Sequence, residues 1–95
     1  MQQNQKLFLR KMCHDLKPLI LLGKNGLTDN ILKEIDLTIE AKELIKVKLN
    51  GVNKEENLAF AKSIEEKTHS TLVQLIGNTG SFYRKSKEEI IKLPK

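Results

Sequence analysis

The stretch LILLGKNGLTDNILKEI, residues 19–35, decides how this chain folds. An unbroken apolar run ends in Gly23-Lys24-Asn25-Gly26, and a helical pattern begins almost at once. A strand that passes through a four-residue turn into a helix is the start of a β-α unit. The run PLILLG lacks alternation, which predicts a strand covered on both faces. Thr28 is placed to cap the following helix and Asp29 sits in its first turn. Ile31, Leu32, Ile35 and Ile39 recur at helical spacing as a buried stripe, with Leu37 outside it.

Working outward, residues 3–16 predict a helix whose apolar stripe is Phe8, Leu9, Met12, Cys13 and Leu16. Pro18 limits it, because a residue before proline avoids the helical region. Residues 43–50, ELIKVKLN, alternate: Ile45, Val47 and Leu49 face one way, Leu44, Lys46 and Lys48 the other, wetter way. A third helix starts near Lys54, with Asn53 as cap and Glu56 three residues on, and buries Phe60, Ala61 and Ile64. TLVQLIG and SFYRK are two further strands, joined through the Gly77-Asn78-Thr79-Gly80 turn as a hairpin. The charged tail, residues 86–95, is expected to be partly helical or loose. The order is α-β-α-β-α-β-β. It predicts an α/β (α+β) domain spanning residues 1–95, a four-stranded mixed sheet packed by helices.

Ninety-five residues suffice for one modest core. A hydrophobic fraction of 39% and a charged fraction of 31% are those of an ordinary globular protein. No apolar run approaches the roughly 18 residues of a membrane span. Cys13 has no cysteine to pair with, and residues 1–11 lack a secretory pattern, so a cytoplasmic location is expected. The net charge of +5 is unevenly spread: residues 1–28 carry +4, residues 29–66 carry −3 and residues 67–95 carry +4. If folding joins the two basic ends, the product is a positive surface that attracts polyanions.

Gly23-Lys24-Asn25-Gly26 sits where open α/β sheets bind ligands, at a strand's carboxyl end and a helix N-terminus. Missing Cβ atoms permit close approach, first-turn amides offer donors to an anion, and Lys24 supplies charge. The same four residues also make an ordinary turn, and their spacing leaves both readings open. Near the other end, Tyr83 beside Arg84 and Lys85 is a pattern suited to stacking an unpaired base while a cation meets phosphate; the other reading places Phe82 or Tyr83 in the core, and an arginine within a strand needs a partner. Enzymatic patterns fail. GKNGLT has neither the length nor the ending of a nucleotide-cleaving phosphate loop. Cys13 and His14 diverge by about 100° on a helix, and His14 and His69 have no companions at metal-ligand spacing. No catalytic residue, metal or cofactor is expected.

Beyond these readings, LKPLILLGKNGLTDNILKEID, KELIKVKLN, VQLIG and SFYRKS together resemble the YhbY family, the bacterial stand-alone form of the CRM domain. The likeness runs from about Leu7 to Pro94. It implies a fold akin to the C-terminal domain of bacterial translation initiation factor three. It also implies RNA binding, with bacterial members associated with large-subunit precursors and plant relatives with group II intron splicing. The glycine-bracketed loop resembles the one with which KH domains clamp a nucleotide backbone. The family's aromatic-arginine block falls on Tyr83 and Arg84. Two departures are Ala41-Lys42 in place of a common histidine and Phe82 in place of leucine.

The expected function is therefore a monomeric, non-enzymatic RNA-binding module acting on large-subunit ribosomal RNA or pre-50S particles. Gly23, Lys24, Asn25 and Gly26 form its centre, and Arg10, Lys11, Lys17, Lys46, Tyr83, Arg84 and Lys85 its flanks. Meeting roughly six phosphates would cost about a thousandfold in affinity between low and moderate salt. The alternative is a protein-interaction module that docks on a ribosomal protein or assembly factor without touching RNA.

Overall fold

The computed structural model describes residues 1–94; Lys95 lies outside the described residues. Three helices, α1 (Gln3–Cys13), α2 (Asp29–Lys42) and α3 (Lys54–Thr68), interleave with strands β1 (Ile20–Leu21), β2 (Leu44–Lys48), β3 (Thr71–Ile76) and β4 (Thr79–Tyr83). The sheet order is β1-β2-β4-β3, with β1 parallel to β2 and the other pairs antiparallel. The α-β-α-β-α-β-β order and the mixed four-stranded sheet are as the sequence predicts. The closing hairpin places β4 between β2 and β3, so these two run parallel without touching.

The caps are local and behave as expected. Thr28 Oγ1 accepts from the Ile31 amide at 3.2 Å, and Asn53 Oδ1 accepts from the Glu56 amide at 2.8 Å. Gly77-Asn78 closes the hairpin with Gly77 at φ +58°, a conformation open to glycine at little cost.

Alternation along β2 divides the core between two faces. Ile45, Val47 and Leu49 join Phe82, Ile35, Ile39 and Ile64 beneath α2 and α3. Leu44 points the other way, into a cluster with Leu9, Cys13, Val73 and Tyr83 beneath α1. Both faces are thus apolar where a helix lies, and Lys46 and Lys48 mark where α1 ends its cover.

Two expectations need correction. Strand β1 is not covered on both faces: Ile20 and Leu22 are buried, but Leu19 and Leu21 are 55% and 59% exposed. It is an edge strand, and only α2 and α3 cover it, so half of its apolar run meets solvent. The tail is not loose through residue 94. Ile91 and Leu93 pack on the α1 cluster, and the Gln5 amide donates to the Pro94 carbonyl at 3.0 Å. The two ends of the chain do meet, on the α1 face.

Candidate functional site

At the carboxyl end of β1 the chain turns sharply, the Gly26 amide donating to the Gly23 carbonyl at 3.0 Å. Lys24 and Asn25 are the exposed tip of this turn. The two glycines differ in what the fold asks of them. Gly26 has φ +65°, and a Cβ there would meet the Phe60 ring at 3.3 Å. Gly23 has nothing within 4 Å of a Cβ position and lies outside the left-handed region. The fold needs a glycine at 26 and not at 23.

The loop is one wall of a groove whose floor and far wall come from α3, through Phe60, Ser63 and Lys67. Asp29 and Glu56 also line it, so its charge is balanced overall and positive only around Lys24 and Lys67. The Glu56 carboxylate accepts from the Val52 amide at 3.2 Å. With the Ile31 amide already held by the Thr28 hydroxyl, the amides of Asp29 and Asn30 are the first-turn donors of α2 that face no intrahelical carbonyl. Phe60 and Lys67 were not singled out from the sequence. Phe60 read there as core because its period fits the apolar side of α3, and Lys67 lies 43 residues from Lys24.

Three asparagines tie the loops at this end of the sheet to one another. Asn50 Nδ2 donates to the Leu22 carbonyl at 3.3 Å, and Asn78 Nδ2 donates to Asn50 Oδ1 at 3.0 Å. Asn57 Oδ1 accepts from the Gly51 amide at 2.7 Å. The glycine turn is thereby anchored at its root while its tip stays free.

The remaining cations do not gather at this corner. Arg10 lies on α1, where its Nε donates to the Val73 carbonyl at 3.4 Å and so covers part of the β3 edge. Lys11 is exposed in the last turn of α1. Lys17 and Lys46 border a crevice on the α1 face, across the sheet from the groove.

Tyr83 and Arg84 are engaged within the fold, while Lys85 stays exposed at the surface. Tyr83 is 6% exposed inside the α1 cluster and has no free face for a base. Burial and the nearby Glu43 charge push its phenol upward. Arg84 leaves the sheet at the opposite end from Gly23. Tyr83 pairs with Leu44 while Leu21 pairs with Lys48, and the four steps along β2 from Leu44 to Lys48 span about 13 Å. Its guanidinium reaches Asp36 at 2.6 Å, Glu40 at 3.2 Å and the Thr68 carbonyl at 2.8 Å. It ties α2 to the end of α3. Lys85 pairs with Glu89 at 2.8 Å, a hydrogen bond that raises its pKa.

This far end also holds a residue the sequence reading passed over. Glu43 caps α2 with φ +68° and is wholly buried. Its carboxylate accepts from the Ser86 hydroxyl at 2.5 Å and from the amides of Ser86, Ile90 and Ile91 at 2.9, 2.9 and 2.7 Å. Burial alone would raise its pKa, but these four donors outweigh it and bring the group down from 4.5 to about 2. From sequence, Glu43 read as the first residue of a strand.

With this geometry in place, the chain can be set beside known proteins. The model of the CRS1 / YhbY (CRM) domain matches residues 1–84. The chain belongs to this family. It is 41% identical over 91 residues to a Haemophilus influenzae protein named "RNA-binding protein", covering 96% of this chain and 92% of that one. It is 43% identical over 91 residues to the Bacillus subtilis "Probable RNA-binding protein YqeI", covering 95% of each. The solution structure of a Staphylococcus aureus protein superposes with a TM-score of 0.88 at 40% identity, covering 99% of both chains. This CRM domain therefore shares its whole fold with that structure, including the tail beyond the family match. Among the described residues no helix is long and apolar enough to cross a membrane.

Proposed function

We propose that this CRM domain binds RNA through the Gly23–Gly26 corner, reading phosphate and backbone shape rather than base sequence. The observation that carries this reading is Gly23. Neither backbone conformation nor neighbouring atoms require a glycine there, so its open space suits the approach of another backbone. Lys24 neutralises a phosphate, Asn25 donates to it, and Phe60 and Lys67 line the path of the adjoining nucleotide. The names of the Haemophilus and Bacillus relatives support RNA as the ligand. The resemblance to the YhbY family directs the reading to large-subunit ribosomal RNA or its precursors, met in the cytoplasm by a monomer. Arg10, Lys11, Lys17, Lys46 and the exposed Lys85 contribute long-range attraction from outside the corner, while Tyr83 and Arg84 serve the fold.

With two or three phosphates at the corner instead of six, the log-log salt slope for single-stranded RNA is about −1.5 to −2. The test is a fluorescence-anisotropy titration of labelled ribosomal RNA fragments across a salt series, with wild type, Gly23→Val and Lys24→Glu. Both variants keep the wild-type melting curve and lose about tenfold or more in affinity under this reading. Unchanged affinity in both would overturn it.

A further inference from the structure

The α1 face carries a crevice whose apolar walls the RNA reading leaves unused, its bordering Lys17 and Lys46 acting there only at long range. Its walls are hydrocarbon: Met12 from α1, Leu16 and Leu19 from the segment between α1 and β1, Leu44 from β2, and Ile90 and Ile91 from the tail. Its volume is about 370 Å³, within the range of natural ligand clefts. Three large side chains at its mouth are left to solvent, with Leu19 55%, Ile90 53% and Met12 37% exposed. Lys17 from the α1–β1 connection, Lys42 from α2 and Lys46 from β2 border it, against one acid, Asp15. Among the described residues, none of these three lysines has an ion-pair partner.

We propose that this crevice docks an acidic protein segment, seating one large apolar side chain between α1 and the tail while flanking carboxylates meet Lys17, Lys42 and Lys46. Charge complementarity selects the occupant. An apolar slot within a ring of unpaired cations matches an apolar anchor flanked by glutamate or aspartate. A nucleobase fits less well. The walls present no aromatic ring or guanidinium plane to stack on and few partners for the polar edges of a base. The slot is also preformed. Buried Glu43 fixes the tail wall through the Ile90 and Ile91 amides, so docking need not order it. The crevice opens across the sheet from the glycine corner, so both ligands can bind at once.

The test uses the full chain and a fluorescein-labelled peptide bearing a Leu-Phe pair flanked by runs of glutamate. Controls are the same peptide with Ser-Ser in place of Leu-Phe, and an oligouridine RNA. The Leu-Phe peptide is expected to bind and to shift the methyl resonances of Met12, Leu19 and Ile90. The Ser-Ser peptide, and the protein variants Leu19→Ser and Ile90→Ser, should each weaken peptide binding about five- to tenfold. Both substituted residues are more than half exposed and lie on different segments, so the fold and RNA affinity should hold. Equal binding of the two peptides would reduce the effect to bulk charge attraction and overturn the proposal. So would peptide affinity indifferent to both variants. Methyl shifts produced by RNA and not by the peptide would assign the crevice to a nucleotide instead.

Discussion

The two ends of the sheet use the same ingredients to opposite purposes. At the carboxyl end of β1, Gly23, Lys24 and Asn25 are exposed, with a cation at the turn's tip and backbone within reach of solvent. At the amino end of β2, Glu43 is wholly buried with four donors on its carboxylate, and Arg84 is shared among Asp36, Glu40 and a carbonyl. One end leaves hydrogen-bonding capacity open, and the other uses it to bind α2, α3 and the tail together. Charge at a strand end is therefore no guide to binding by itself. What matters is whether the fold has already answered it.

The largest expected effect lies at the closed end. Glu43→Gln keeps the volume but removes the charge that four buried donors face, and should cost about 3 kcal/mol in urea unfolding. RNA affinity per folded molecule should not change. The same contrast has a pH form. Because the folded pKa of about 2 lies below the ordinary 4.5, the contribution of Glu43 is complete above pH 4.5 and fades as the pH falls toward 2. It amounts to about 3 kcal/mol. Wild type should lose that much on acidification and the Gln variant should not, as followed by circular dichroism.

Next comes Arg84→Met, expected to lower stability by about 2 kcal/mol, since it removes a largely covered guanidinium shared by two acids and a carbonyl. Its RNA affinity at a temperature where it is folded should equal wild type. A selective loss of RNA binding with full stability would erase the distinction between the two ends. At the open end, Lys24→Glu should leave the melt unchanged and weaken RNA binding about tenfold, or about 1.4 kcal/mol. The smallest effects separate the two glycines. Gly26→Ala should cost about 1 kcal/mol of stability, because φ +65° and the Phe60 ring both resist a Cβ. Gly23→Ala should cost less than about 0.5 kcal/mol yet lower RNA affinity several-fold. Equal melts for the two alanine variants would show that the corner tolerates side chains throughout.

Much of the site's scaffold was legible before folding, and its extent was not. The Gly-Lys-Asn-Gly turn, the Thr28 cap and the place of the turn between strand and helix follow from signals a few residues apart. Phe60 was legible as apolar but not as the floor of a groove, because its partner Gly26 lies 34 residues earlier. Tyr83 and Arg84 misled because alternation along β4 states which side chains share a face and not which face a helix covers. Once α1 covers the Tyr83 side and α2 flanks the other, both residues are spoken for.

The amino-acid sequence by itself determined the element order, the helix caps, the hairpin turn and the helical and alternating stripes that became the core. These arise from contacts between near neighbours, where periodicity and capping chemistry act directly. Tertiary structure alone decided that β4 enters between β2 and β3, that α1 leaves half of β1 bare, and that Arg84 meets Asp36 across 48 residues. It also decided that Glu43 is drawn inside to hold the tail. The reason is physical: a charge takes its role from whatever partners folding brings within about 3 Å, and that choice belongs to sheet order and helix placement.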